Sequence, residues 1–316
     1  MIRKLLLLIS FVPFLTHGQK EANVWYFGEN AGINFETNPP SSITNGALNT
    51  LEGCSSFSDT NGKILFYSDG ITVWDKNHSI MRYSNGNLAN DLKGNPSSSQ
   101  SGMIIPKPNS NSIYYLFTVD DGPAYDLNGN IIEPGQGFNV YTIDMSLNSG
   151  LGELVDENGS GTYFKSLSNG NQVNWTEKVA AVRGTECNTF WIVSSTNTQF
   201  YAYKITETGI DLSPVISNVS IPLYRRGYLK LSPDGKKLAI ANQGNNQSVL
   251  FSFDNATGKV SNDGQLLNSF NDGEPYGVEF SRNSQKLYIS STSSFTNDIN
   301  FPSIYKLFQY DLSNSN

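Results

Sequence analysis

The chain has 316 residues and a formal net charge of −7, and only 16% of its residues are charged. An acidic chain without a lysine- or arginine-rich run is poorly suited to bind nucleic acid or an anionic membrane. Its polarity comes from Asn, Ser, Gly and Thr beside many aromatic residues, which argues against disorder and is typical of an all-β protein with many turns. The length allows one large domain or two ordinary ones.

The first 18 residues predict a secretory signal peptide. Arg3 and Lys4 provide a basic start, an apolar run follows from Leu5 to Leu15, and small residues precede Gln19. This run is too short to span a bilayer stably. Its removal would take the net charge from −7 to −9, because Arg3 and Lys4 are the charged residues lost. No later segment is long and apolar enough for membrane insertion, so residues 19–316 are expected to form one exported domain.

A strand–turn–strand–strand pattern then recurs five times at roughly 50-residue intervals, after two short N-terminal strands around Gly28 and Gly32. The clearest copy is YLKLSPDGKKLAIANQGNNQSVLFSFD, in which Pro233 and Gly235 suit a tight turn between apolar runs. A fourth strand is weaker in each copy, with candidates at Pro214–Ile221 and Gln265–Phe270. The five copies span Glu52–Asp75, Gln100–Met145, Lys178–Ile205, Tyr228–Asp254 and Tyr276–Asp311.

This long period predicts an all-β fold, a β-propeller of four-stranded antiparallel blades, rather than a β-sandwich. Five blades are visible, and we expect seven in the complete ring. The N-terminal strands would then share a blade with strands from the C-terminal end. If the ring has seven blades, the chain lacks part of it.

The aromatic stretches resemble a known family. WYFGENAGINF, GCSSFSDTNGKILFYSDGITVWD and SGMIIPKPNSNSIYYLFTV look like the N-terminal propeller of large secreted Bacteroidetes proteins, the gliding-motility-associated or type IX-sorted surface proteins. The SPDGKKLAIAN segment is similar, over a shorter length, to YVTN-type and lactonase-type propeller repeats. The resemblance implies a WD40-like propeller with an interaction role at the cell surface, and it brings no defined catalytic site.

Few residues are suited to catalysis. After signal-peptide removal His78 is the one remaining histidine, and no G-x-S-x-G motif is present. The sequence therefore lacks the residues expected for a nucleophilic triad or a zinc site. Cys54 and Cys187 lie in different repeats, and their pairing is left open. Glu52, Asp69 and Glu279 lie near strand ends and could line a central channel, although a solvated or structural role is the default for each.

Candidate ligand-binding residues cluster in the second copy, which carries insertions at Gly122–Gln136 and Asp156–Asn174. Asp120 and Asp121 end a strand at the first insertion, which contains Tyr125. Trp175, expected on a loop at the end of the second insertion, could stack on a sugar or anchor a protein. The DLNGN segment from Asp126 to Asn130 resembles the start of a Ca²⁺ loop but lacks its later ligands, so an Asx/Gly turn is favoured and no cofactor is expected.

Together these features predict a secreted or cell-surface, monomeric, non-enzymatic propeller. It would bind a protein or a polysaccharide through its loops, with a role in adhesion or gliding. Two alternatives remain open. One is a lactonase- or lyase/hydrolase-type enzyme with acidic residues in the channel, and the other is a structural spacer.

Overall fold

The computed structural model describes residues 20–267, 273–292 and 305–313. The predicted signal peptide lies outside these residues. The described chain forms an all-β propeller of six blades, each built mainly of antiparallel strands. Two 3₁₀ turns, Asn148–Gly150 and Gln172–Asn174, are its helical segments, and no described helix could cross a membrane.

Blade 1 contains β1 (Val24–Phe27), β2 (Ala31–Asn34) and β3 (Ser41–Ile43), and blade 2 contains β4 (Ser55–Ser58), β5 (Ile64–Ser68) and β6 (Val73–Asp75). Blade 3 contains β7 (Arg82–Tyr83), β8 (Met103–Pro106), β9 (Ile113–Val119), β12 (Phe138–Asp144), β13 (Glu153–Val155) and β14 (Phe164–Ser166). A separate hairpin in blade 3 contains β10 (Ala124–Tyr125) and β11 (Ile131–Glu133). Strand β7 pairs with β13 in parallel, and the other pairs in these sheets are antiparallel.

Blade 4 contains β15 (Trp175–Arg183), β16 (Phe190–Thr196), β17 (Gln199–Thr206), β18 (Gly209–Ile210) and β19 (Val215–Asn218). Blade 5 contains β20 (Leu229–Leu231), β21 (Lys237–Asn242), β22 (Gln247–Asp254), β23 (Lys259–Val260) and β24 (Gln265–Leu267). Blade 6 contains β25 (Glu274–Phe280), β26 (Lys286–Thr292) and β27 (Tyr305–Asp311). The five predicted repeats correspond to blades 2 to 6. The weak outer strands are confirmed as β19 and β24, although residues 268–270 of the second prediction lie outside the described residues.

The predicted blade number is wrong. The N-terminal strands β1 and β2 pair with β3 and form a blade of their own, instead of sharing one with the C-terminal end. This adds a sixth blade to the five repeats. The sequence concealed it because β3, Ser41–Ile43, lies in a Pro/Ser/Asn stretch that reads as a loop. No described residue of blade 6 pairs with a strand of blade 1.

The core lies between the blades. Each of five hydrophobic clusters takes side chains from two consecutive blades, as the sequence predicted for most of its aromatic residues. Between blades 3 and 4, for example, Phe138 stacks on Trp175 with ring centroids 5.8 Å apart. The first and last blades each leave large apolar side chains exposed. These are Trp25 and Phe27 on β1 and Tyr305 and Leu307 on β27.

Strands β1, β4, β8, β15, β20 and β25 lie nearest the centre. In this series β1 contacts β4, β4 contacts β8, β15 contacts β20 and β20 contacts β25. In an antiparallel sheet the start of the first strand and the end of the second lie at the same edge. One face of the propeller therefore carries the segments before β4, β8, β15, β20 and β25, together with the ends of the second strands. Asp69 follows β5 and Asp120 follows β9, so both lie at this face, which is called the upper face below.

Candidate functional site

A cavity of about 660 Å³ opens at the upper face beside blade 3. One wall is the hairpin β10–β11, which the first predicted insertion forms. A second wall is the segment 91–95, which leads toward β8. Arg225 and Arg226, from the segment before β20 of blade 5, complete the lining. The cavity therefore joins residues more than 100 positions apart in the sequence.

Three of the four predicted ligand-binding residues, Asp120, Asp121 and Tyr125, line this cavity. Asp120 follows the last residue of β9 and is buried, and its Oδ2 accepts a hydrogen bond from the backbone N–H of Gln136 at 2.6 Å. Tyr125 is half exposed on the hairpin. The hairpin turn is closed by Asp126, whose carboxylate accepts the backbone N–H groups of Asn128 and Asn130, which is the Asx turn that the sequence favoured.

The fourth prediction, Trp175, is wrong in its expected exposure. Trp175 begins β15, is 1% exposed, and donates its indole N–H to Ser194 Oγ at 2.7 Å. The sequence predicted that the first strand of this repeat begins at Lys178. The observed strand begins earlier, at Trp175, and its pairing with β16 is irregular between Trp175 and Val179. A ring packed between two blades does not offer a face to a ligand.

The second insertion, Asp156–Asn174, is separate from the cavity walls. Its strand β14 pairs with the outer edge of β12, so much of it supplies the outer strand of blade 3. It touches the site at one point, where the Val173 carbonyl accepts a hydrogen bond from Arg225 Nη2 at 3.3 Å. Of the two insertions, the first thus forms the cavity and the second mainly completes a sheet.

Arg225 is fixed in place by backbone groups. Its Nη1 donates to the Asp121 carbonyl at 3.0 Å, and its guanidinium lies against Gly122. Gly122 has a φ of +97°, a backbone conformation that favours glycine, and a Cβ there would lie 2.0 Å from Arg225 Nη1, so a larger residue would displace the guanidinium. This contact ties the hairpin of blade 3 to the segment before blade 5.

Polar residues fill the centre of the upper face just below the cavity. Glu177 is 1% exposed, and its Oε2 accepts hydrogen bonds from the backbone N–H and the hydroxyl of Ser99, both at 2.9 Å. The Gln100 side chain accepts the N–H of Leu229 at 2.7 Å. Lys178, fully buried, donates to the carbonyl groups of Arg226 and Gly227. Blades 3, 4 and 5 are therefore joined at the centre through side chains that the sequence analysis did not select.

Burial controls the protonation of these groups. It raises the pKa of Glu177 and holds the pKa of Lys178 well below its ordinary value, because both charged forms lose their hydration. The Asp120 carboxyl responds similarly, since burial together with the adjacent charge of Asp121 raises its pKa to about 6. Asp120 thus combines a raised pKa with a place in the cavity.

The other selected residues have local partners. Asp69 accepts the backbone N–H groups of Ile71 and Thr72, and exposed Glu279 lies 3.0 Å from Lys230. His78 sits in a turn with a φ of +64°, and its ring contacts Tyr67 and Asn45. Cys54 and Cys187 are free thiols.

Glu52 contacts Tyr276 at a second cavity. No cluster of three metal-ligating side chains occurs within the described ranges.

The raised pKa of Asp120 predicts a pH-dependent stability. The folded protein keeps this proton up to a pH of about 6, whereas the unfolded chain releases it near 3.8. Asp120 should therefore stabilise the fold below pH 3.8, and this contribution should be lost as the pH rises through 6. We expect the melting temperature of Asp120→Asn, relative to that of the wild type, to increase between pH 4 and 6.5.

The matched control is Asp254→Asn, because the pKa of Asp254 is lowered by the hydroxyl of Thr257 and by backbone N–H groups. Its relative melting temperature should change in the opposite direction as the pH falls below 4. If the melting-temperature difference between Asp120→Asn and the wild type is constant from pH 4 to 6.5, the raised pKa of Asp120 is contradicted.

Comparisons with known proteins found solved structures of low sequence identity to this chain. No family model matches the chain, and no curated protein matches it. Three similar solved structures are the β-propeller domain of Cps50 (Swd1) from Myceliophteria thermophila, a provisionally assigned 6-phosphogluconolactonase from Bacteroides fragilis, and hydrazine synthase from Kuenenia stuttgartiensis. Their identities to this chain are 9%, 14% and 12%, and their TM-scores are 0.48, 0.47 and 0.41.

The alignments cover 93%, 90% and 81% of this chain and 84%, 83% and 59% of the respective structures, so the chain spans less than two thirds of the hydrazine synthase chain. All three TM-scores are below 0.5, and the assignment to the β-propeller fold therefore rests on the six sheets themselves. Membership in the gliding-associated surface-protein family stays a prediction.

Proposed function

We propose that the protein is a secreted or cell-surface, non-enzymatic β-propeller that binds a glycan in the cavity beside blade 3. The observation that carries this proposal is the joint lining of one cavity by Asp120, Asp121, Tyr125, Arg225 and Arg226. Its volume of about 660 Å³ falls within the range of about 300–1,000 Å³ that is usual for small-ligand sites.

The chemistry of the lining suits a sugar. Carboxylates accept hydrogen bonds from hydroxyl groups, and guanidinium groups donate to hydroxyl or ring oxygens. Tyr125, which is 52% exposed, offers an aromatic face of the kind on which a sugar ring stacks. The walls are held by backbone hydrogen bonds to Asp120 and Arg225, so little ordering would be needed on binding.

Replacing Tyr125 by alanine should weaken glycan binding by about tenfold, which corresponds to the loss of one stacking contact of about 1.4 kcal/mol. The experiment is to screen the protein on an array of neutral and acidic oligosaccharides and then to titrate the best ligand by calorimetry. Leu127→Ala is the matched control, because Leu127 is fully exposed on the same hairpin and does not line the cavity. Equal affinities for the two variants, or no glycan bound by the wild type, would contradict the proposal.

A second candidate function, a hydrolase or lactonase, is favoured by the raised pKa of Asp120. A carboxyl group with a pKa of about 6 in a cavity can act as a general acid or base near neutral pH. Mass spectrometry of sugar lactones and oligosaccharides incubated with the protein separates the two candidates. Turnover that Asp120→Asn abolishes would favour the enzyme, and unchanged ligands would favour binding alone.

A further inference from the structure

Arg226 lies where three cavities meet. It lines the cavity of about 660 Å³ described above, a neighbouring one of about 480 Å³ and a third of about 500 Å³ toward blade 6. Arg225 is shared by the first two cavities, and Gln243 by the last two. The three cavities therefore form a continuous groove over the centre of the upper face. A single sugar would fill only part of it, so an extended chain is the better match.

The middle cavity is cationic. Its polar lining comes from Asn197, Tyr224, Arg225, Arg226 and Gln243, and none of the described acidic side chains lines it. The first cavity is rich in carboxylates, with Asp91, Asp120, Asp121 and Glu133 beside Lys93 and the two arginines. The third cavity contains Glu52 together with Arg226 and Lys306. An anionic group of a bound chain would accordingly be accepted in the middle cavity and disfavoured in the first one.

Among the described residues, the guanidinium of Arg226 makes a polar contact with the protein through its Nε only. Its Nε lies 3.7 Å from Oε1 of buried Glu177, while the side chain as a whole is 70% exposed. Within the described part of the chain, no hydrogen bond occupies its two terminal nitrogen atoms. Glu177 itself is anchored by Ser99, so it can orient Arg226 without moving. The edge formed by these two terminal nitrogens presents two parallel N–H groups, which match the paired oxygens of a carboxylate.

We propose that the groove selects an acidic oligosaccharide and that Arg226 binds the carboxylate of a uronic acid unit. This inference rests on the proposed glycan-binding function and names the substrate class for it. Neutral units would occupy the flanking cavities, where carboxylates and Tyr125 meet hydroxyl groups. Arg225 is already engaged with backbone carbonyl groups, so it supplies positive charge but fewer free donors.

The test compares tetramers that carry one uronic acid unit (glucuronate, galacturonate or mannuronate) among three neutral units with their methyl esters, which keep the chain but lose the charge. We expect the wild type to bind at least one free acid about tenfold or more tightly than its ester, the usual effect of one charge-assisted contact. In Arg226→Gln the two affinities should agree within about twofold, mainly through weaker binding of the acid. The preference should also shrink as salt is raised.

The matched control is Arg282→Gln, because Arg282 is exposed in the turn between β25 and β26, away from the groove. This variant should keep the wild-type preference. Equal binding of acid and ester by the wild type, or no binding of any tetramer, would overturn the inference, and so would a full preference in Arg226→Gln. Binding of neutral glycans that depends on Tyr125, without any preference for acids, would overturn this inference while leaving the proposed function intact.

Discussion

Replacing Glu177 by alanine should lower the free energy of unfolding by about 3–5 kcal/mol, the usual cost of breaking a buried charged network by removing one partner. Glu177 is 1% exposed and accepts both the N–H and the hydroxyl of Ser99. Without it these two donors stay buried with no acceptor, and Arg226 loses its nearest carboxylate. The measurement is urea unfolding followed by tryptophan fluorescence.

Two further variants show whether burial or charge causes this loss. Glu177→Gln keeps an oxygen acceptor for Ser99, and it removes a charge whose pKa is raised by burial, so it should cost only about 1 kcal/mol. Glu279→Ala breaks an ion pair with Lys230 at the surface, where Glu279 is 64% exposed, and should change stability by at most about 1 kcal/mol. A Glu177→Ala protein as stable as Glu279→Ala would show that the network contributes little.

Replacing Trp175 by alanine should also cost about 3–5 kcal/mol, because it empties a large, fully buried site between blades 3 and 4. The indole ring packs against Phe138 and Tyr201, with centroids 5.8 and 4.8 Å away, and its N–H is satisfied by Ser194. Loss of the ring leaves a cavity that neighbouring strands cannot close without shifting. Circular dichroism is the appropriate readout, since the substitution removes a fluorophore.

Trp25→Ala is the matched control for Trp175. Trp25 is 49% exposed on the outer face of blade 1 and contacts Phe35, so its removal should cost at most about 1 kcal/mol. A Trp175→Ala protein that keeps the wild-type stability but loses ligand binding would contradict the structural role of this ring.

The blades were predictable where their strands alternate apolar and polar residues between clear turns. Blade 5 is the best example: its predicted strands became β20, β21 and β22, and Ser232 and Asp234 close the turn between the first two. Blade 1 escaped notice because β3 is three residues long and polar. Its place is set by pairing with β2, which no local pattern in Ser41–Ile43 reports.

Part of the candidate site was also predictable. Asp120 and Asp121 stand at the end of an apolar strand before an irregular insertion, and such positions carry loops at the edge of a sheet. Arg225 and Arg226 were missed, although a signal existed. They directly precede the innermost strand of a repeat, at the position that Ser98–Ser101 occupies before β8, and both segments meet at the centre.

The sequence by itself determined the all-β class, the repeated blade and the loop that forms one wall of the cavity, because strand periodicity and turn residues are local properties. Only the tertiary structure decided the number of blades, the burial of Trp175 and the meeting of Asp120 with Arg225 and Arg226. These depend on which sheets pack against each other and on which strand starts converge at the centre. Such contacts join residues far apart in the chain, and their free energy comes from burial and hydrogen bonding between blades.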